Sequence, residues 1–222
     1  MATSRPPIFF DFDGVIVESL AIKNDAFRTI YRSYGEEIVE RVLEHHNNYA
    51  GISRVEKIKY CHKEFLGIDL DDQQLNELGQ RYCDLVETGV VGCEAVLGAM
   101  RFLDSEAPHR DMIVISGTPQ DELRRITSAR NLDGYFKGVY GSPRYKEDII
   151  QTLLDAHGYA PSQTVFVGDG KTDYDAAMAT GLLFIGRVAP QTESPFPPDT
   201  ELVSDLNTLN EAVENVLSER GK

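Results

Sequence analysis

The sequence predicts an α/β fold, a doubly wound parallel sheet carrying a helical insert near its start. Two observations carry that prediction. From residue 92 onward short β-rich runs alternate with helical patterns, the signature of βαβ units. Between residues 17 and 88 the pattern is instead charged and helical, with no convincing strand. The expected division is a sheet-bearing core, 1–16 and 89–222, and a helical insert, 17–88.

IFF at 8–10 reads as the first strand of that sheet. Within the insert, Ser53 followed by Glu56 has capping-box spacing, and Asp71 or Asp72 provides a second helix start. The core then reads as a helix near 94–105, MIVIS at 112–116, a helix over 119–130, GVYG at 138–141 and a helix over 147–157. TVFVG at 164–168, a helix over 174–180 and LLFIG at 182–186 complete the alternation. Runs such as FVG and FIG are apolar throughout, as strands are when helices cover both faces of a sheet. Residues 190–198 are proline-rich and loop-like, and 205–219 reads as a closing amphipathic helix.

A length of 222 residues and 41% apolar content fit one core, or a core plus a small insert. The three cysteines, Cys61, Cys83 and Cys93, form no CxxC, and their odd number fits a reducing compartment. No stretch approaches the roughly 18 apolar residues of a membrane span. MATSRPP lacks the apolar core of a signal sequence, so the expected location is cytoplasmic. A net charge of −14 argues against nucleic acid and anionic membranes as partners.

The chemistry concentrates first in IFFDFDGVIVE, residues 8–18. An apolar strand ends on Asp11 and Asp13, which alternation points to one side, and then turns at Gly14. Carboxylates at the carboxyl end of a strand lie where open α/β sheets bind ligands. Two so close repel, and a hard divalent cation such as Mg2+ relieves that repulsion. Ser116 ends MIVIS, with Gly117 and Thr118 before Pro119, a good first helical residue. A hydroxyl and exposed backbone N–H groups at a helix start make an anion site. Lys146 follows the loop GSPRY, with Arg144 as a nearby competitor, and VGDGKTDYD delivers Asp169, Asp173 and Asp175 to a strand end.

Taken together and in this order, DFDGV, Ser116 in IVISGT, Lys146 in GSPRYKEDI and the pair Asp169 and Asp173 resemble the motifs of the haloacid dehalogenase-like superfamily. Most of its members are phosphatases and phosphotransferases. The resemblance implies that Asp11 is the nucleophile, forming an aspartyl phosphate. Asp13 would be the general acid and base, with its backbone carbonyl as a metal ligand. Ser116 and Gly117 would hold phosphoryl oxygens, and Lys146 would neutralise nucleophile and phosphoryl group. The implied Mg2+ site draws on Asp11, Asp13, Asp169 and Asp173, with Asp169 the main side-chain ligand of the last pair. Asp173 would orient Lys146 or sit behind the metal ligands, and Asp175 is a helix-terminal acid. An aspartate at position 13 disfavours the dehalogenase and phosphonoacetaldehyde-hydrolase branches.

The insert corresponds to the helical cap of this superfamily. Its run YAGISRVEK resembles the substrate loop of β-phosphoglucomutase-like members, so Arg54 is the expected contact to the distal part of a substrate. Lys57, Lys59 and Lys63 follow at helical spacings, which also suits a solvated basic face. A family histidine position is occupied by Lys23, and His45 and His46 are expected at the surface. The implied activity is a Mg2+-dependent phosphatase on a small phosphorylated metabolite, a sugar phosphate or phosphoglycolate-like acid. The alternatives are a β-phosphoglucomutase-like phosphomutase and a noncatalytic binding module. A monomer or homodimer is expected.

Overall fold

The structure is a computed structural model and describes residues 5–49 and 52–219. Ala50 and Gly51 of the YAGISR run lie outside the described residues. Strands β1 (Ile8–Phe10), β2 (Met112–Pro119), β3 (Gly138–Ser142), β4 (Val165–Gly168), β5 (Leu183–Arg187) and β6 (Glu201–Val203) form one sheet. Its order is β3-β2-β1-β4-β5-β6, and every pairing is parallel. Helices α1 (Leu20–Tyr31), α2 (Glu36–Asn48), α3 (Arg54–Leu66) and α4 (Asp72–Gly92) follow β1. Helices α5 (Ala99–Glu106), α6 (Gln120–Ala129), α7 (Lys146–His157), α8 (Lys171–Thr180) and α9 (Leu209–Glu219) belong to the alternating part.

Alternation along the strands divides the core into two layers. Ile8 and Phe10 face Val114, Val165 and Val167 in one cluster, whereas Phe9 joins Ile113, Ile115 and Phe166 in the other. Both faces of β1 are therefore covered, which explains why the strand has no polar residue. In register, Phe10 lies beside Val114 on one side and Val167 on the other. The chain leaves β1 at Asp11, between neighbours whose connections run to opposite edges, and such a switch point opens a crevice at the carboxyl ends.

Capping follows the sequence. Ser53 accepts a hydrogen bond from the Glu56 N–H at 3.3 Å, and Asp71 rather than Asp72 caps α4 in a capping box with Gln74. Several boundaries move. The helix expected from 94 starts at Ala99, because Glu94 and Ala95 pair with the chain leaving β1: the Glu18 N–H donates to the Glu94 carbonyl at 3.0 Å, and Val17 bridges Ala95. Gly98 makes the turn with a φ of +82°, and a Cβ there would stand 2.7 Å from the Asn207 backbone nitrogen. The last helix starts at Leu209, after Asp205 accepts from the Asn207 N–H at 2.8 Å in an Asx turn. Strand β6, three residues after a proline-rich loop, is too short for a legible alternation. Helix α4 continues to Gly92, past the expected end of the insert.

His46 corrects a surface expectation. Val39, Val42 and His46 form the buried stripe of α2, and the imidazole packs on Phe27 with ring centroids 4.5 Å apart. Cys61 and Cys83 are buried. Among the described residues, no helix is long and apolar enough to cross a membrane.

Candidate active site

The loop after β1 sets the site. The Asp11 N–H extends the sheet by donating to the Val167 carbonyl at 2.9 Å, which fixes its side chain above β4. Gly14 then turns with a φ of +75°, and a Cβ on it would sit 2.2 Å from Asp169 Oδ2. Glycine thus serves both the left-handed turn and the approach of Asp169.

Asp11, Asp169 and Asp173 bring carboxylate oxygens within 4.8 Å of one another. Lys146, the first residue of α7, sends Nζ to 3.3 Å from Asp11 Oδ1 and into a tight ion pair with Asp173. Asp173 also accepts from the Gly170 N–H at 3.0 Å, so it is held on both sides. Burial pushes Asp11 up to about 7, with Lys146 opposing and Asp173 and Asp13 adding to the rise. Burial and the neighbouring Asp11 and Asp173 push Asp169 well above the carboxylate range. Burial disfavours the Lys146 cation, but Asp11 and Asp173 outweigh it and hold the ammonium protonated. Three crowded, desolvated carboxylates answered by one lysine fit a divalent cation, since hard oxygen donors with excess negative charge suit Mg2+.

Asp13 stands apart from that group. Its Oδ1 accepts from Ser19 Oγ at 2.6 Å, and its Oδ2 accepts from Thr118 Oγ1 at 3.0 Å and from Ser116 Oγ at 3.4 Å. Lys23 Nζ lies 2.5 Å from Oδ2. Burial acts to raise this carboxyl, but Lys23, Ser19 and Thr118 outweigh it and hold it below its ordinary value. Ser116 Oγ also accepts from the Thr118 N–H at 3.1 Å.

These residues open onto a cavity of about 420 Å³. Asp11, Asp13, Ser116, Gly117 and Asp169 line its floor, and Lys23, His46, Arg54, Lys57 and Tyr82 line it from α1 to α4. Lys146 and Asp173 support the floor from behind. Arg54 is buried against Glu122 of α6 in an ion pair, with its guanidinium 5.0 Å above the Tyr82 ring. Arg144 turns outward to Thr152 at 2.7 Å, and Asp175 pairs with Lys171 at 2.6 Å.

Sequence reasoning missed several contributors. Thr118 lay two residues beyond Ser116, the spacing at which a strand end returns to the same side. Lys23 stood out only as a departure from a pattern. Glu122 gave no signal, because its partner is 68 residues away. Arg187 at the end of β5 donates to the Gly14 carbonyl at 3.0 Å and pairs with Glu18 at 2.5 Å, tying the first loop to the sheet.

This geometry meets a family match. Residues 8–187 match the model of the haloacid dehalogenase-like hydrolases, and the chain belongs to that family. A curated relative, a phosphoglycolate phosphatase of Pseudomonas savastanoi pv. phaseolicola, is 26% identical over 184 residues, 79% of this chain. The chain spans 66% of that relative's length. Among solved structures, a β-phosphoglucomutase from Clostridium difficile superposes with a TM-score of 0.78 at 15% identity, covering 97% of this chain and 98% of that one. A predicted phosphoglycolate phosphatase from Haemophilus somnus 129PT gives 0.73 at 17% identity, over 95% and 99% of the two chains. At these identities the structural likenesses establish the shared fold.

Proposed function

We propose that this chain is a phosphatase of small phosphate monoesters, working through an aspartyl phosphate on Asp11. The observation that carries the reading is the division of labour between two carboxylates two residues apart. Asp11 lies 3.3 Å from the Lys146 ammonium, while Asp13 is embedded in hydroxyl donors and Lys23. In the first step an Asp11 oxygen attacks phosphorus, and the ester oxygen leaves with a proton from Asp13. In the second, Asp13 takes a proton from water, which attacks the same phosphorus and returns Asp11 as a carboxylate with release of phosphate. Lys146 offsets charge on Asp11 and the phosphoryl oxygens, Asp173 positions Lys146, and Ser116 with the Gly117 N–H receives the oxygens.

Asp11 and Asp169, with the Asp13 backbone carbonyl, would hold Mg2+, which supplies positive charge for the transferring phosphoryl group. Residues 17–88 would act as a cap that shields the acyl phosphate from bulk water. A phosphomutase would use the same residues and differ in returning the phosphoryl group to a phosphorylated intermediate.

The test is phosphate release from a panel of sugar, glycolate, nucleotide and polyol phosphates, with and without Mg2+, beside Asp11→Asn and Asp13→Asn. Metal-dependent release that disappears in Asp11→Asn is the expected result. Isomerisation of sugar phosphates without net phosphate release would transfer the assignment to a mutase.

A further inference from the structure

Four cationic side chains line the cavity, and carboxylates answer three of them. Lys23 lies 2.5 Å from Asp13, Arg187 lies 2.5 Å from Glu18, and Arg54 is paired with Glu122. Lys57 has no carboxylate partner among the described residues. It is 3% exposed, and among the described residues its Nζ bonds only to His46, at 2.9 Å from Nδ1 and 3.1 Å from the carbonyl oxygen. Burial and the charges of Lys57 and Lys23 hold the His46 imidazole neutral, pushed down to about 2, so its Nδ1 accepts from Lys57. An ammonium there makes two hydrogen bonds and keeps a third N–H.

A second unmatched donor stands beside it. Arg54 precedes Lys57 by three residues on α3, about one helical turn, and its buried Nη1 has no hydrogen-bond partner among the described residues. Arg54 is itself 8% exposed. Burying a cation without an opposite charge is costly, and an unsatisfied buried donor adds to that cost. Two such groups on one turn, lining one cavity, favour an anion between them.

We propose that Lys57, with Arg54 Nη1 beside it, is an anion subsite that selects phosphate monoesters bearing a second negative group, carboxylate or phosphate. The inference rests on the phosphatase reading for the first phosphate and adds the chemistry of the remainder of the substrate. It moves selectivity from Arg54, whose charge Glu122 already neutralises, to Lys57. His46 on α2 bonds to Lys57. The charges acting on Lys57 are Lys23 on α1, which disfavours the ammonium, and Asp169 and Asp13 from the core with Cys61 on its own helix, which favour it. Burial foremost, and then Lys23, push Lys57 down to about 7, so above neutral pH the empty site favours loss of the proton from this amine. An anion arriving beside it draws a proton from solvent.

Two measurements test this. The first compares 2-phosphoglycolate with 2-hydroxyethyl phosphate, and glucose 1,6-bisphosphate with glucose 1-phosphate, in the wild type and in Lys57→Met. The preference in kcat/KM for the doubly anionic member of a pair should fall roughly tenfold to a hundredfold, the range of one charge-assisted contact. A loss confined to one pair tells carboxylate from phosphate. An unchanged preference in both pairs overturns the proposal.

The second needs no turnover: calorimetry of 3-phosphonopropionate and propylphosphonate at pH 8, with Mg2+, in buffers of different ionisation enthalpy. The wild type should bind 3-phosphonopropionate more tightly and take up close to one more proton with it, and Lys57→Met should lose both differences. Equal affinity and equal proton uptake for the two phosphonates in the wild type would overturn the subsite. Absent phosphate release together with a retained phosphonate preference would sink the phosphatase reading alone.

Discussion

Replacing Lys57 with methionine should change the pH dependence of stability in a direction fixed by the structure. The amine falls from an ordinary 10.5 to about 7 because it is buried. In the unfolded chain it binds a proton up to its ordinary value. Between those values the unfolded state therefore holds more protons than the native state, and wild-type stability rises with pH. At 1.36 kcal/mol per pKa unit the burden on the native state is roughly 5 kcal/mol well below neutrality and vanishes toward pH 10.5. Methionine keeps the apolar stem without the charge. It also strands His46 Nδ1 and the His46 carbonyl, a pH-independent cost of about 1–3 kcal/mol for each lost partner. The sign of the net change at one pH is thus less informative than the slope. Urea unfolding at pH 7, 8 and 9, at constant ionic strength, keeps the histidines out of the titration. The stability of Lys57→Met relative to wild type should decline by about 2 kcal/mol across that window. Parallel pH profiles for the two proteins would refute the claim that Lys57 is buried without a carboxylate partner.

Three further outcomes follow from named contacts. Gly14→Ala places a Cβ 2.2 Å from Asp169 Oδ2 at a φ of +75°, so it should lose about 1–3 kcal/mol and weaken Mg2+ binding, read by melting with and without the ion. Lys146→Met leaves Asp11, Asp169 and Asp173 without their cation; it should cost about 3–5 kcal/mol, and added Mg2+ should raise its melting temperature more than that of the wild type. Glu122→Gln frees the Arg54 guanidinium in a buried setting. It should destabilise by about 3 kcal/mol, by denaturant unfolding, while lowering KM for doubly anionic substrates.

Much of the fold was legible because its signals are local. Apolar strands followed by helices, with glycine and acidic residues at the joins, announced a parallel sheet and its carboxyl edge. Asp11, Lys146 and Asp169 each stand at a strand end or helix start, where position along the chain nearly determines position in space. Ser116, expected to end its strand, lies within β2 where the pairing with β3 loses its regular register after Ile115. The pairings that tune the site were illegible for the opposite reason. Arg54 meets Glu122 and Lys23 meets Thr118 across separations of 68 and 95 residues, and no periodicity encodes which helix packs on which loop. His46 shows the same limit, since a histidine continues an apolar stripe only when the facing surface supplies something like Phe27.

The opposite displacement of Asp11 and Asp13 is the feature that links these observations. Two aspartates in one pentapeptide begin with the same chemistry, and surroundings separate them. The environment of Asp11 is built from the sheet: its N–H is pinned to β4, and Asp169, Asp173 and Lys146 all come from the alternating part of the chain. Asp13 depends on the segment that leads into the helical insert, because Ser19 and Lys23 supply two of its strongest contacts. A movement of α1 relative to the sheet would change the proton affinity of Asp13 directly, and that of Asp11 only through its neighbour Asp13. Under the proposed mechanism Asp13 must carry a proton in one step and lack it in the other. Lys23 favours the ionised form, which suits attack by water; donation to the leaving oxygen requires that contact to lengthen. The arriving phosphoryl group, itself an anion, is the natural competitor for the Lys23 ammonium, so substrate binding and the charge state of Asp13 are coupled through one lysine.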